Sequence, residues 1–309
     1  MIWPFDGPNG GVLALYVATL AVHAAFVSYV VAGSAYALLR SKRDAAIVDD
    51  VAGRLPFMLG CGITAGVAPL LFVQLLHQHR FYTAHLLAGP RALAIVPALI
   101  VGFYGLYLAK SSARWRRIAL GAALTCFAFV AWSWSELHEL MQADPEWAQL
   151  YAAGERFYAT AQLAPRLVVL FGAMATQFAA IATWSAADRA ALARIAIGGR
   201  VVSIAGGIWL WRAGFHVDGP ARAWLDLLVA AVAIDSVAWL FAARRELALT
   251  IATGAGAAAL LAAAVLREAP RVALIEPVHG PAGGALAFAV AVIAGGAAIA
   301  WVIRTVARA

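Results

Sequence analysis

Apolar runs of about twenty residues recur along the chain with short polar joints between them, and no other feature restricts its folding so strongly. Nine such runs stand at 11–39, 55–77, 92–109, 117–140, 163–185, 190–211, 223–243, 246–266 and 282–303. Each is long enough to cross a hydrocarbon core of about 30 Å as an α-helix. In lipid only helices or closed barrels give every backbone N–H and C=O a partner, and runs of this length are helices. Composition agrees, because 64% of the 309 residues are apolar and 13% charged, against about 25% charged in ordinary soluble domains. The expected fold is all-α: a polytopic integral membrane helix bundle with about nine transmembrane helices in one membrane domain.

Lys and Arg set the expected orientation, since short cytoplasmic loops collect positive charge. Of the 23 Lys and Arg, 15 fall in one alternating set of joints, containing Arg40 to Arg54, Lys110 to Arg117, Arg189 to Arg200, Arg244-Arg245 and the tail. That places the N-terminus outside and the C-terminus inside. The net charge of +7 reflects this bias and attraction to anionic lipid heads, and no basic cluster is dense enough to suggest nucleic acid. Met1 to Gly10 lacks a basic n-region, so no cleavable signal peptide is expected. Cys61 and Cys126 stand inside predicted helices without CxxC spacing and read as small apolar residues.

The two parts of the chain differ in kind. Residues 1–187, with helices one to five, carry most of the polar and aromatic detail and read as a functional bundle. Residues 188–309 are rich in Ala, Gly and Val, with Gly206-Gly207, Gly254, Gly256, Gly283-Gly284 and Gly295-Gly296. Such residues let helix backbones approach closely, so this part reads as packing or partner-binding helices. In the long joint at 142–162, Pro145 followed by Glu and Trp predicts the start of a short interfacial helix.

His23 is the sharpest single residue, because it lies about twelve residues into the first run, roughly 18 Å along a helix rising 1.5 Å per residue. An ionisable group at that depth is a functional candidate, and neutral imidazole ligates haem iron or another metal through one ring nitrogen. The competing reading is a ring bonded to a hydroxyl or carbonyl of a neighbouring helix. A second constellation, Trp132 to Met141, closes the fourth run. Helical spacing sets Trp134, His138 and Met141 on one face and Glu136, Glu139 and Leu140 on another. Such a set at a water-facing mouth suits metal or haem ligation, or proton transfer to and from a quinol; equally, helix ends near water tolerate charge at little cost. His77, His79, Arg80 and His85 follow the second run, but residues 77 and 79 do not share a helical face, so a common metal requires the helix to end between them. His216 and His279 stand beside Gly and Pro in short joints and read as solvated. Asp235, inside the seventh run, has no evident basic partner in sequence.

The stretch from Tyr16 to Val27, Tyr-Val-Ala-Thr-Leu-Ala-Val-His-Ala-Ala-Phe-Val, resembles the first helix of the large subunit of cytochrome bd-type quinol oxidases, which carries a haem-ligating His midway. Gly66-Val67-Ala68-Pro69 leading to Gln74 resembles the family's Gly-Val run before a functional Glu. Leu140-Met141-Gln142-Ala143-Asp144-Pro145 resembles its Trp-Met-Gln-x-Pro turn. The resemblance covers about residues 11–185 and extends to bd-like membrane proteins of unassigned role. The chain lacks the Gly-Arg-Gln-Pro-Trp signature, has Gln74 in place of the Glu, and reads Arg166-Leu167-Val168-Val169 where the family's fifth helix supplies a haem-ligating His.

What the resemblance implies is therefore a subunit of a respiratory or electron-transfer complex in a bacterial inner membrane, beside other membrane or cytochrome subunits, either non-catalytic or quinol-oxidising. Haem b and quinol or quinone are the implied cofactors, near the outer leaflet. His23 is the implied haem ligand, with His138, Met141 or His77 as second ligands, and Glu136, Glu139 and Gln74 handle protons or quinol. The alternative expectation is a cofactor-free scaffold, assembly factor or transporter that keeps the bd-like fold.

Overall fold

The computed structural model describes residues 8–40, 45–184 and 188–275. It contains eight helices long and apolar enough to cross a membrane, in the order the apolar runs demand. The protein is a multi-pass helical membrane protein. The ninth run, at 282–303, lies outside the described residues, as does His279.

The first span, α1 (Pro8–Arg40), pairs with α2 (Ala45–Leu76). At 1.5 Å per residue α1 is about 50 Å long, so both its ends project beyond the hydrocarbon. α2 starts ten residues before the apolar run because its charged first turns are paired: Arg54 donates to Asp50 at 2.8 Å, and Arg116 reaches Asp49 at 2.6 Å. The helix breaks at His77 and resumes as α3 (Gln78–Ala88), which the apolar pattern did not predict. The chain re-enters through one turn, α4 (Pro90–Leu93), and α5 (Ile95–Ser111), then returns in α6 (Arg116–Leu140).

A 3-10 turn at Asp144–Glu146 leads into α7 (Trp147–Ala153), the short helix expected after Pro145. Gly154, at a φ of +68° that disfavours a side chain, ends it. α8 (Leu163–Ala182) and α9 (Arg189–Arg212) form the closest hairpin, followed by α10 (Arg222–Ala242), α11 (Glu246–Glu268) and a 3-10 segment, Ala269–Leu274.

Small residues set the closeness of α8 and α9. A Cβ on Gly199 would lie 2.7 Å from the Gly172 carbonyl oxygen, and one on Gly206 would lie 2.7 Å from the Val169 nitrogen. Here the Gly-rich character works as the sequence suggests, by backbone approach. The core gathers around Phe178, whose ring meets Tyr29 edge-on at 5.3 Å beside Leu55 and Trp239. Outside, Leu86, Leu93, Tyr104, Ile118, Val237 and Leu240 are exposed, a ring of apolar side chains that lipid rather than water accommodates.

Candidate functional site

Alternation of the spans brings one set of helix ends together: the start of α1, the ends of α2, α6 and α11, the start of α8, and the loops between. Every residue from Glu136 to Met141 is buried. The sequence places this stretch at a water-facing mouth, whereas the structure encloses it on all sides. The difference arises from two segments with no periodic signal, the loop at 155–160 and the 3-10 turn at 269–274.

The two glutamates face separate arginines. Glu136, 1% exposed, takes a bidentate ion pair from Arg91 and a hydrogen bond from the Tyr158 backbone N–H. The Arg91 guanidinium also lies 5.2 Å from the centres of the Trp132 and Phe157 rings, which stack on each other, and donates to the Arg156 carbonyl at 2.9 Å. Glu139 accepts from the Thr160 hydroxyl and pairs with Arg166 Nε at 3.1 Å, although that N–H is poorly aligned. Both carboxylates thus fasten the 155–160 loop and α8 to the end of α6. Tyr158 in that loop has its phenol pushed up to about 12 by burial and by Glu146, so it stays protonated. On the rim, Arg80 pairs with Asp144 at 2.8 Å and holds that carboxyl below the usual range.

Beneath the loop lies a cluster that sequence reading only half anticipates. Arg271, 2% exposed, pairs with Glu268 through Nη2. Tyr16 donates its hydroxyl to Glu268 at 2.9 Å and accepts from Arg271 Nη2 at 3.3 Å. Arg271 Nη1 meets the Met141 sulfur at 3.4 Å, while its Nε has no partner. His138, 4% exposed, has neither ring nitrogen partnered, and the Nδ1 of His77, 1% exposed, is equally unserved. Burial and the Arg271 charge push the His77 imidazole down to about 4, so it is neutral. A buried polar atom without a partner costs about 1–3 kcal/mol, and four such atoms occur on three neighbouring side chains. Glu268 and Arg271 were missed because they follow the last residue of an apolar run and read as ordinary joint residues. Their spacing of three, on either side of Pro270, was the available signal.

The other expected residues lie elsewhere. His23 sits midway along α1, with Nδ1 bonded to the Gly62 carbonyl at 2.8 Å and its ring against Gly66, where a Cβ would come within 2.8 Å. Because a carbonyl only accepts, Nδ1 carries the proton and Nε2 keeps its lone pair. Gln74 is half-buried on α2, three residues before His77. The helix does end between His77 and His79, but it turns His77 inward and leaves His79 exposed, so the two do not converge. His85 bonds its own helix at the Phe81 carbonyl, 2.7 Å away, and burial lowers its pKa. His216 is exposed beside Trp211.

Asp235 has a basic partner after all. Arg200 donates to it from Nε at 2.8 Å and from Nη2, and Trp239 Nε1 supplies its other oxygen at 3.0 Å. Arg200 therefore belongs to the interior of α9 and not to the cytoplasmic charge set in which its sequence position places it. Among known proteins, no family model matches the chain and no curated protein matches it.

Proposed function

We propose that this protein is a membrane subunit of a bacterial respiratory or electron-transfer complex, handling b-type haem or quinol at the helix ends around His138, with its N-terminus outside. The observation that carries this reading is the His138 imidazole, enclosed from solvent yet with both ring nitrogens unpartnered. Proteins rarely keep such a group without a ligand for it. The donor set fits the cofactor: the imidazoles of His138 and His77, the Met141 thioether, and in mid-membrane the Nε2 lone pair of His23 are the ligand types of b-type haem. When bound, a haem iron supplies a one-electron carrier. The chain's own part is to leave both His138 ring nitrogens free of protein partners, to exclude water with the 155–160 loop, and to neutralise the glutamates that fasten that loop.

A second reading, a cofactor-free scaffold, assembly factor or transporter, is favoured by one observation: His23 is already tethered to Gly62 and packed against Gly66. A reduced-minus-oxidised visible spectrum of the purified protein separates the two. The electron-carrier reading expects a haem band, or a quinone-dependent redox change, that disappears in His138→Ala while insertion persists. Neither signal at any potential leaves the scaffold reading.

A further inference from the structure

The unmet hydrogen-bonding capacity at this end includes donors on Arg271 and His138 beside imidazole lone pairs on His138 and His77. Arg271 Nε–H has no acceptor, and Nη1 has only the Met141 thioether, a weak acceptor. In either tautomer, His138 has one ring N–H without a partner. Met141, whose sulfur Arg271 Nη1 meets, lies three residues beyond His138 on the same face, which brings Arg271 to the His138 side of α6. Guanidinium N–H groups cannot ligate a metal. They do suit an oxygen that carries negative charge, because charge-assisted hydrogen bonds are about twice as strong as neutral ones and low local dielectric strengthens them further. Leu76, next to His77 in sequence, is buried and apolar, which suits a ligand with an apolar body and one anionic oxygen.

We propose that Arg271 and His138 together bind the anionic oxygen of an apolar ligand, a carboxylate or a phenolate-type group, with His77 beside them. The proposal rests on reading this end of the bundle as the ligand-handling end, and it names the chemistry recognised there. Glu268 and Tyr16 are positioning residues: they hold the Nη2 edge of Arg271 and leave Nε and Nη1 for the ligand.

Thermal unfolding of the purified full chain in detergent, titrated with decanoate, decanol, decylammonium, acetate and a decyl-substituted quinol, tests it. Decanoate is expected to give a saturable upward shift in Tm that decanol and decylammonium do not. The affinity should fall at least tenfold in His138→Phe, and in Glu268→Gln combined with Arg271→Gln, a pair that leaves no uncompensated charge. Where that double variant does not fold, His138→Phe alone carries the test. A response to the quinol in place of decanoate, its hydroxyls being protonated at neutral pH, or to acetate alone, which has no apolar body, overturns it. Equal shifts with decanol, a preference for decylammonium, no saturable shift with any compound, or unchanged affinity in His138→Phe each overturn it. Saturable binding to a protein without a redox signal removes the electron-carrier reading and leaves this site standing. A redox signal with no response to these compounds removes the site alone.

Discussion

Two buried arginine–carboxylate pairs in this protein are made from the same chemical parts and finished differently. Arg200 and Asp235 meet in mid-span between α9 and α10, and both carboxylate oxygens are served, one by Arg200 and the other by Trp239. Arg271 and Glu268 meet at the helix ends, where Nε of the arginine and both ring nitrogens of adjacent His138 go unserved. The first arrangement is closed, and its effect is to fix the register of α9 against α10. The second is open on one side, where Arg271 and His138 present donors beside imidazole lone pairs. Buried charge is therefore not by itself a sign of function here; incomplete satisfaction is the sign that separates the two regions.

The sharpest way to break this distinction is to remove one partner of the closed pair. Asp235→Ala leaves the Arg200 charge buried and alone and should reduce stability by about 3–5 kcal/mol. Replacing Arg200 and Asp235 together by Leu should cost much less, as denaturation in detergent would reveal. If the single and the double change are equally harmful, the pair is not the closed unit described.

A smaller effect is expected from pH, and it belongs to the open region. The His77 imidazole is held near 4 in the folded protein, below its value of about 6.5 in the unfolded chain. The unfolded state therefore takes up the proton first. Stability is fully present above pH 6.5 and declines as pH falls toward 4, by up to roughly 3 kcal/mol. Melting curves between pH 7 and pH 4 should show that decline, and His77→Gln should flatten it.

Smaller again is the effect of crowding the α8–α9 contact. Gly199→Leu or Gly206→Leu forces a side chain against backbone and should cost about 1–3 kcal/mol. Gly198→Ala and Gly207→Ala, which meet nothing within 4 Å, should be neutral or slightly stabilising through helix propensity. Equal losses at all four positions would mean that the close approach does not hold these helices together.

The spans were legible because lipid imposes one solution on long apolar runs, and the eight described helices follow eight of those runs. What escaped the pattern was decided by partners distant in sequence. Asp49, Asp50 and Arg54 read as a joint, yet α2 runs through them because Arg116 and an internal pair neutralise them. Arg200 read as a loop charge because its partner lies 35 residues further on. His138 and Met141 were correctly placed on one helix end, but their enclosure depends on Tyr16, Arg271 and the 155–160 loop, and helical periodicity contains nothing about those contacts. His23 was legible as an imidazole in mid-membrane; its Gly62 tether was not, because a backbone carbonyl has no sequence signature.

The smallest expected change tests the central claim most directly, because it has the opposite sign from a structural role. In ligand-free protein, His138→Phe replaces an unsatisfied polar ring by an apolar one of similar shape. The account predicts a gain in stability of about 1 kcal/mol, read as a higher Tm in detergent. A loss of stability on the same substitution would show that the imidazole is satisfied where it stands, and would contradict the account.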